Sequence, residues 1–165
     1  MKRFFIALML LSAGASASAQ TASVPFGVVD HDPAAPVEIS ADSFTVSQNP
    51  GRAEFVGNVV VGQGEMRLSA EKISVEYSAA DGEQTGRIDR MIASGGVTLV
   101  SGSEAVEAER AVYSISDGTI RLEGNVLLTQ GQNALSGQVI VIDLANGSAK
   151  IEGRVKTIFK TGGAQ

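Results

Sequence analysis

Phe55-Val56-Gly57-Asn58-Val59, Leu122-Glu123-Gly124-Asn125-Val126 and Ile151-Glu152-Gly153-Arg154-Val155 are three versions of one pattern, in which apolar positions flank a central glycine. Ala93-Ser94-Gly95-Gly96-Val97 is a fourth, lying between the first and second. Successive central glycines are 38, 29 and 29 residues apart. Seven residues beyond the first three comes another glycine (Gly64, Gly102, Gly131), and thirteen beyond comes a small residue followed by Glu or Gln: Ala70-Glu71, Ala108-Glu109, Gly137-Gln138. Ala41-Asp42 precedes Ala70-Glu71 by 29 residues, so a partial unit stands before the first complete one. Agreement at three offsets defines a 29-residue repeat, the signature of a stacked array in which each unit buries its apolar face against its neighbours. The 38-residue interval is one unit plus nine residues, placed in Ser78–Arg87 (SAADGEQTGR) and expected to be a polar loop.

Within a unit the apolar residues alternate, as in Phe55, Val59 and Val61, Met66 and Leu68, Ile73, Val75 and Tyr77, or Ile140, Ile142 and Leu144. That is the period of a half-buried strand. Turn-forming pairs separate the runs: Asn49-Pro50-Gly51, Asp81-Gly82, Asp117-Gly118 and Asn146-Gly147. No stretch after residue 20 has helical periodicity, and all four prolines lie at or before Pro50. The expected class is all-β. Stacked strands leave an edge at each end, here the rung Val37–Gln48 and the strand Ile151–Phe159.

Residues 1–19 have the layout of a cleaved export signal: Lys2 and Arg3, the apolar run Phe4–Leu11, then small residues ending Ala17-Ser18-Ala19. The expected organisation is signal 1–19, flexible leader 20–36, one β domain 37–160 and a disordered tail 161–165. With no cysteine, an exported chain must be held by burial and strand pairing. Without Lys2 and Arg3, eleven basic residues face eighteen acidic ones, which argues against a nucleic-acid partner and against docking on an anionic membrane surface.

Chemistry-bearing residues are sparse. His31 is the sole histidine and lies in the leader between Asp30 and Asp32, where it reads as solvated tail. Serine and cysteine nucleophile systems would need that histidine. Asp42, Glu71 and Glu109 share a repeat offset and are expected to form a column; Gln138 breaks it, so wet turn residues are a better reading than a calcium site. Gly62-Gln63-Gly64 precedes a strand, and so lacks the helix N-terminus a phosphate loop requires. No catalytic residue, metal site or cofactor is expected, and the chain is not read as an enzyme.

The chain resembles the LptA family, also called OstA-like, of lipopolysaccharide transport. The resemblance is carried by Val37-Glu38-Ile39-Ser40-Ala41-Asp42, Phe55-Val56-Gly57-Asn58-Val59, Leu68-Ser69-Ala70-Glu71, Ile92-Ala93-Ser94-Gly95-Gly96-Val97, Ala108-Glu109-Arg110-Ala111 with Tyr113, and Leu122-Glu123-Gly124-Asn125-Val126. It covers roughly 37 to 160, and its specificity lies in order and spacing. The resemblance implies an open, slightly twisted β-jellyroll in the periplasm, with lipopolysaccharide acyl chains in an apolar groove. It also implies contacts with an LptC-like inner-membrane protein and an LptD-like outer-membrane protein through the terminal strand edges, and the unpaired edges themselves predict head-to-tail self-association. The inward-facing, lipid-binding positions are expected to be Ile39, Phe44, Val46, Phe55, Val59, Leu68, Ile73, Val75, Val97, Leu99, Val106, Tyr113, Ile120, Leu122, Val126, Leu135, Ile140 and Ile142. The same residues would equally make an ordinary core. The competing reading is a β-solenoid scaffold of the envelope that polymerises edge to edge.

Overall fold

At each repeated glycine the strand turns a corner. In the computed structural model, which describes residues 21–25, 34–47, 51–80 and 83–159, Gly57, Gly95, Gly124 and Gly153 have φ between +79° and +86°. The next residue is also left-handed: Asn58, Gly96, Asn125 and Arg154. Glycine carries no Cβ penalty there and asparagine a small one, which is why G-N recurs in the repeat. The signal 1–19, the tail 161–165 and His31 lie outside the described residues.

Eleven strands form one folded sheet: β1 (Thr21–Pro25), β2 (Glu38–Ser40), β3 (Ser43–Ser47), β4 (Arg52–Gln63), β5 (Met66–Ala80), β6 (Glu83–Ser101), β7 (Glu104–Ser114), β8 (Thr119–Gln130), β9 (Asn133–Asp143), β10 (Ser148–Glu152) and β11 (Lys156–Ile158). From β4 to β10 it is an antiparallel meander. Each long strand is interrupted by a bulge at its corner. Gly57-Asn58 face Glu71, Gly95-Gly96 face Glu109, and Gly124-Asn125 face Gln138. A bulge bends its strand and increases the local twist. Repeated in register, the bulges fold the sheet along one line into two facing layers.

Layer I holds β3, residues 52–56, 72–80, 83–94, 110–114, 119–123 and 139–143, then β10 and β1. Layer II holds β2, residues 59–63, 66–70, 97–101, 104–108, 126–130 and 133–137, then β11. A single apolar cluster lies between the layers, contributed by both. The architecture is an open all-β jellyroll.

Two expectations are corrected. The nine-residue insertion is not a polar loop, because it prolongs the β5–β6 hairpin, with Tyr77 opposite Ile88, Ala79 opposite Gln84 and Ala80 opposite Glu83. Backbone pairing satisfies the donors and acceptors that a loop would leave to water. The leader expected to be flexible over 20–36 contains β1, which pairs with β10 at the far end of the array, Thr21 opposite Glu152 through Pro25 opposite Ser148. An exposed strand edge accepts any chain of matching direction, and here the chain's own N-terminal segment takes it.

Candidate functional site

Strand alternation aims one side chain in two between the layers; the parity is kept across the two-residue bulges at Gly57, Gly95 and Gly124 and shifts by one residue on the facing strands at Glu71, Glu109 and Gln138. In layer I these positions are filled by Ala53, Ile73, Val75, Met91, Ala93, Ala111, Tyr113, Ile120, Leu122, Ile140, Ile142, Ala149 and Ile151. In layer II they are filled by Val59, Val61, Met66, Leu68, Val97, Leu99, Val106, Val126, Leu128 and Leu135. Of the eighteen positions named from the sequence, fourteen are buried, while Ile39 and Phe55 are partly buried against the cluster. Phe44 and Val46 pair with Phe55 and Ala53 and so share the inner face, but they are 57% and 56% exposed. The reason is positional: β3 is the first strand of layer I, and no strand among the described residues covers it. Phe44 stacks at an angle on Phe55, with ring centroids 4.7 Å apart.

The inner-face side chains of the described residues pack against one another as one apolar cluster. A cavity lies between the layers, lined by Val61, Met66 and Leu68 on one side and by Ile73, Met91, Ala93, Ala111, Tyr113 and Ile120 on the other, with a volume of about 20 Å³. A twelve-carbon chain needs on the order of 300 Å³ if each methylene occupies nearly the ~30 Å³ share of one water. A lipid chain therefore enters this cavity only if its walls move apart.

A polar contact crosses the interior. The Tyr113 hydroxyl donates to Gln63 Oε1 at 3.1 Å, joining β7 in layer I to the end of β4 in layer II. Gln63 Nε2 donates to the Ala35 carbonyl at 3.2 Å. Both residues are buried, and burial raises the Tyr113 phenol above its ordinary pKa. A second buried polar residue, Glu104, accepts a hydrogen bond from Gln130 Nε2.

Apart from Glu104, no charged residue is buried among the described residues. On the outer face of layer I, Arg52 pairs with Glu76, Lys72 with Glu54, Arg121 and Arg110 with Glu123, and Lys150 with Glu152. The hydrogen bond from Lys72 lowers the Glu54 carboxyl, and that from Arg121 lowers Glu123. These pairs are exposed, so each contributes little to stability. Asp42, Glu71, Glu109 and Gln138 do form a column, each against a corner glycine. Asn58 Nδ2 donates to Asp42 Oδ2 at 2.8 Å, and Asn125 Nδ2 to Glu109 Oε1 at 2.6 Å. They brace the corners. No metal-binding cluster occurs among the described residues.

Val61, Met66, Met91, Ala93, Ala111, Leu128 and Ile151 belong to the inner face but were not among the named positions. Continuing the alternation from Val59 through Val61 places Gln63 inward as well. A polar residue at an inward position was the available signal for the Tyr113 contact.

A jellyroll folded along a glycine column, with an apolar seam between its layers and a first rung that no described strand covers, defines a class of stacked open β protein. Family comparison makes the assignment specific: a family model described as LptA/(LptD N-terminal domain) LPS transport protein matches residues 38–148, and the chain belongs to that family. An uncharacterized protein of Rhizobium meliloti (strain 1021) is 34% identical over 92 residues, covering 54% of this chain; the chain spans about half (50%) of that relative's length. Among solved structures, that of LptH, described as the LptA homologous periplasmic component of the conserved lipopolysaccharide transport device from Pseudomonas aeruginosa, matches 79% of this chain and 99% of its own. The TM-score is 0.65 at 16% identity, which establishes a shared fold.

Proposed function

We propose that this protein is a periplasmic carrier of lipopolysaccharide, one element of a bridge between inner and outer membranes, and that acyl chains lie between its two layers. The observation that carries the reading is the continuous apolar seam, which runs from Phe44 and Phe55 at the first rung to Leu135 and Ile151 near the last, with Gln63 and Glu104 as the buried polar residues among the described ones. Burying a dozen-carbon chain withdraws about eleven methylenes from water, on the order of 9 kcal/mol at ~0.8 each. An exposed ion pair to a lipid phosphate contributes at most about 1 kcal/mol. Apolar contact therefore dominates, and an acidic protein is compatible with an anionic lipid.

A chain that leaves a bilayer for this seam changes its apolar exposure little, so the seam does not set direction. Energy for directed movement enters elsewhere in the bridge. The terminal rungs, with β2 and β3 at one end and β11 at the other, are the surfaces for an LptC-like protein, an LptD-like protein or a second copy. Photoreactive residues at Val59, Leu99 and Ile140 test the carrier reading. Lipopolysaccharide adducts from these sites are expected, whereas protein adducts at the terminal rungs with no lipid adduct from any interior site favour an envelope scaffold and overturn it.

A further inference from the structure

β10 is the repeat equivalent of β4. Ala149-Lys150-Ile151-Glu152-Gly153 corresponds to Ala53-Glu54-Phe55-Val56-Gly57, and Ala149 and Ile151 are fully buried as the inner-face residues of their strand. In the meander, β5 lies on β4 with Ile73 opposite Phe55 and Val75 opposite Ala53. β1 lies on β10 in that same register, Ala22 opposite Ile151 and Val24 opposite Ala149. β1 thus occupies the place of the next strand of the array.

That strand would be the β3 of a following copy. β3 reads Ser43-Phe44-Thr45-Val46-Ser47 and β1 reads Thr21-Ala22-Ser23-Val24-Pro25: both have five residues, apolar at the second and fourth positions and hydroxyl-bearing at the first and third. Direction agrees too. Layer I contains eight strands from β3 to β10, each antiparallel to the next, so β3 and β10 run oppositely and a following β3 would pair antiparallel with β10, as β1 does. Phe44 and Val46, the most exposed apolar side chains of the first rung, would then cover Ile151 and Ala149. The imitation is the poorer strand, with alanine where β3 has phenylalanine and a proline that has no N–H to donate.

β1 also makes the two layers unequal. Among the described residues layer II ends at β11, whereas layer I continues past β10 by one strand, about 4.8 Å. A following copy presents β2 and β3 as one rung joined through Ala41-Asp42, and such a rung seats on β11 and β10 together only when β1 is gone. Docking outside β1 would require parallel pairing in layer I and a step of one strand between the layers.

We propose that β1 is an intramolecular plug on the C-terminal edge, held by strand pairing and by the Gln130 Nε2 hydrogen bond to the Pro25 carbonyl (2.9 Å), and that head-to-tail addition of a second copy proceeds by displacement of β1 by β3. This rests on the terminal-edge contacts of the proposed function. The plug keeps the edge from pairing with wrong partners until a complete rung, contacting both layers, outcompetes a single strand.

The chain contains no cysteine, so engineered thiols report cleanly. Sedimentation measures association of the purified protein, of Val24→Asp, which sets a charge opposite buried Ala149, and of the pair Ser23→Cys with Lys150→Cys, whose positions are partners across β1 and β10. The expected results are at least tenfold tighter association for Val24→Asp, none for the oxidised pair, and recovery on reduction. Mixing Thr45→Cys with Lys150→Cys protein should give a disulfide-linked dimer, formed faster when Val24→Asp is also present. Association indifferent to both Val24→Asp and the lock overturns the plug and leaves head-to-tail contact standing. Absence of association and of the mixed disulfide in every variant overturns the head-to-tail reading and the plug with it, while leaving interior lipid adducts unaffected.

Discussion

Truncation of Ile120 to alanine measures how far the interior behaves as packed core. Ile120 is fully buried on the inner face of β8, between Tyr113 on β7 and Ile142 on β9, and it lines the small cavity. The change removes three carbon atoms, about 2.4 kcal/mol of transfer free energy at ~0.8 per methylene. The space they leave joins the cavity already present; if the walls relax only partly, a residual volume of roughly 60 Å³ adds about 1.4 kcal/mol at ~24 cal/mol per Å³. Ile120→Ala should therefore destabilise the protein by about 3–4 kcal/mol, which for a domain of this size lowers Tm by roughly 12 °C. Urea titration with an unchanged slope is the assay. Phe44→Ala is the control, since its ring is more than half exposed and should cost no more than about 1.5 kcal/mol, mostly from the pair with Phe55. A loss below about 1 kcal/mol for Ile120→Ala would refute the reasoning, because it would mean the layers are already parted at Ile120 in solution.

Two further predictions concern the corner and the polar contact across the seam. Gly124→Ala places a Cβ at φ +84° and 2.6 to 2.8 Å from the Glu109 side chain, so a loss of about 1–2 kcal/mol or more is expected from thermal melts, whereas Asn125→Gly, at a position already left-handed, should be nearly neutral to backbone strain. Burial raises the Tyr113 phenol, so the stability tied to its protonated form is intact below pH ~10 and is lost as pH rises through the higher folded value. Tyr113→Phe should cost about 1 kcal/mol at neutral pH, through loss of the hydrogen bond to Gln63, and should flatten the alkaline decline seen in pH-dependent unfolding.

The repeat made much of this fold legible. Corner glycines with left-handed φ, an inward set every second residue, and Asp42, Glu71, Glu109 and Gln138 stacked at one offset are consequences of local geometry, and local geometry is written in spacing. The rest depended on pairing between distant segments. Nothing in Thr21–Pro25 indicates that it lies on β10, since five residues of alternating polarity are common and the partner is more than 120 residues away. The insertion at 78–87 contains Asp81-Gly82 and polar neighbours, which suit a loop and the tip of a longer hairpin equally well. The exposure of Phe44 and Val46 follows from their place on the first rung, where alternation still holds but a covering strand is missing. Gln63 was hidden because it stands among glycines in a turn-like sequence, although its parity with Val59 and Val61 places it inside.

The central claim is that the two layers part to admit an acyl chain, because the cavity between Val61, Tyr113 and Ile120 has room for little more than a water molecule. Spin labels at Arg121 and Leu127 report this directly: both lie on β8 and are exposed, on opposite sides of the Gly124 corner, one on the outer face of each layer. The distance between them, measured by pulsed electron resonance with and without lipopolysaccharide, should lengthen by roughly the 4 Å contact width of a hydrocarbon chain. An unchanged distance under conditions where lipid is bound would contradict the account.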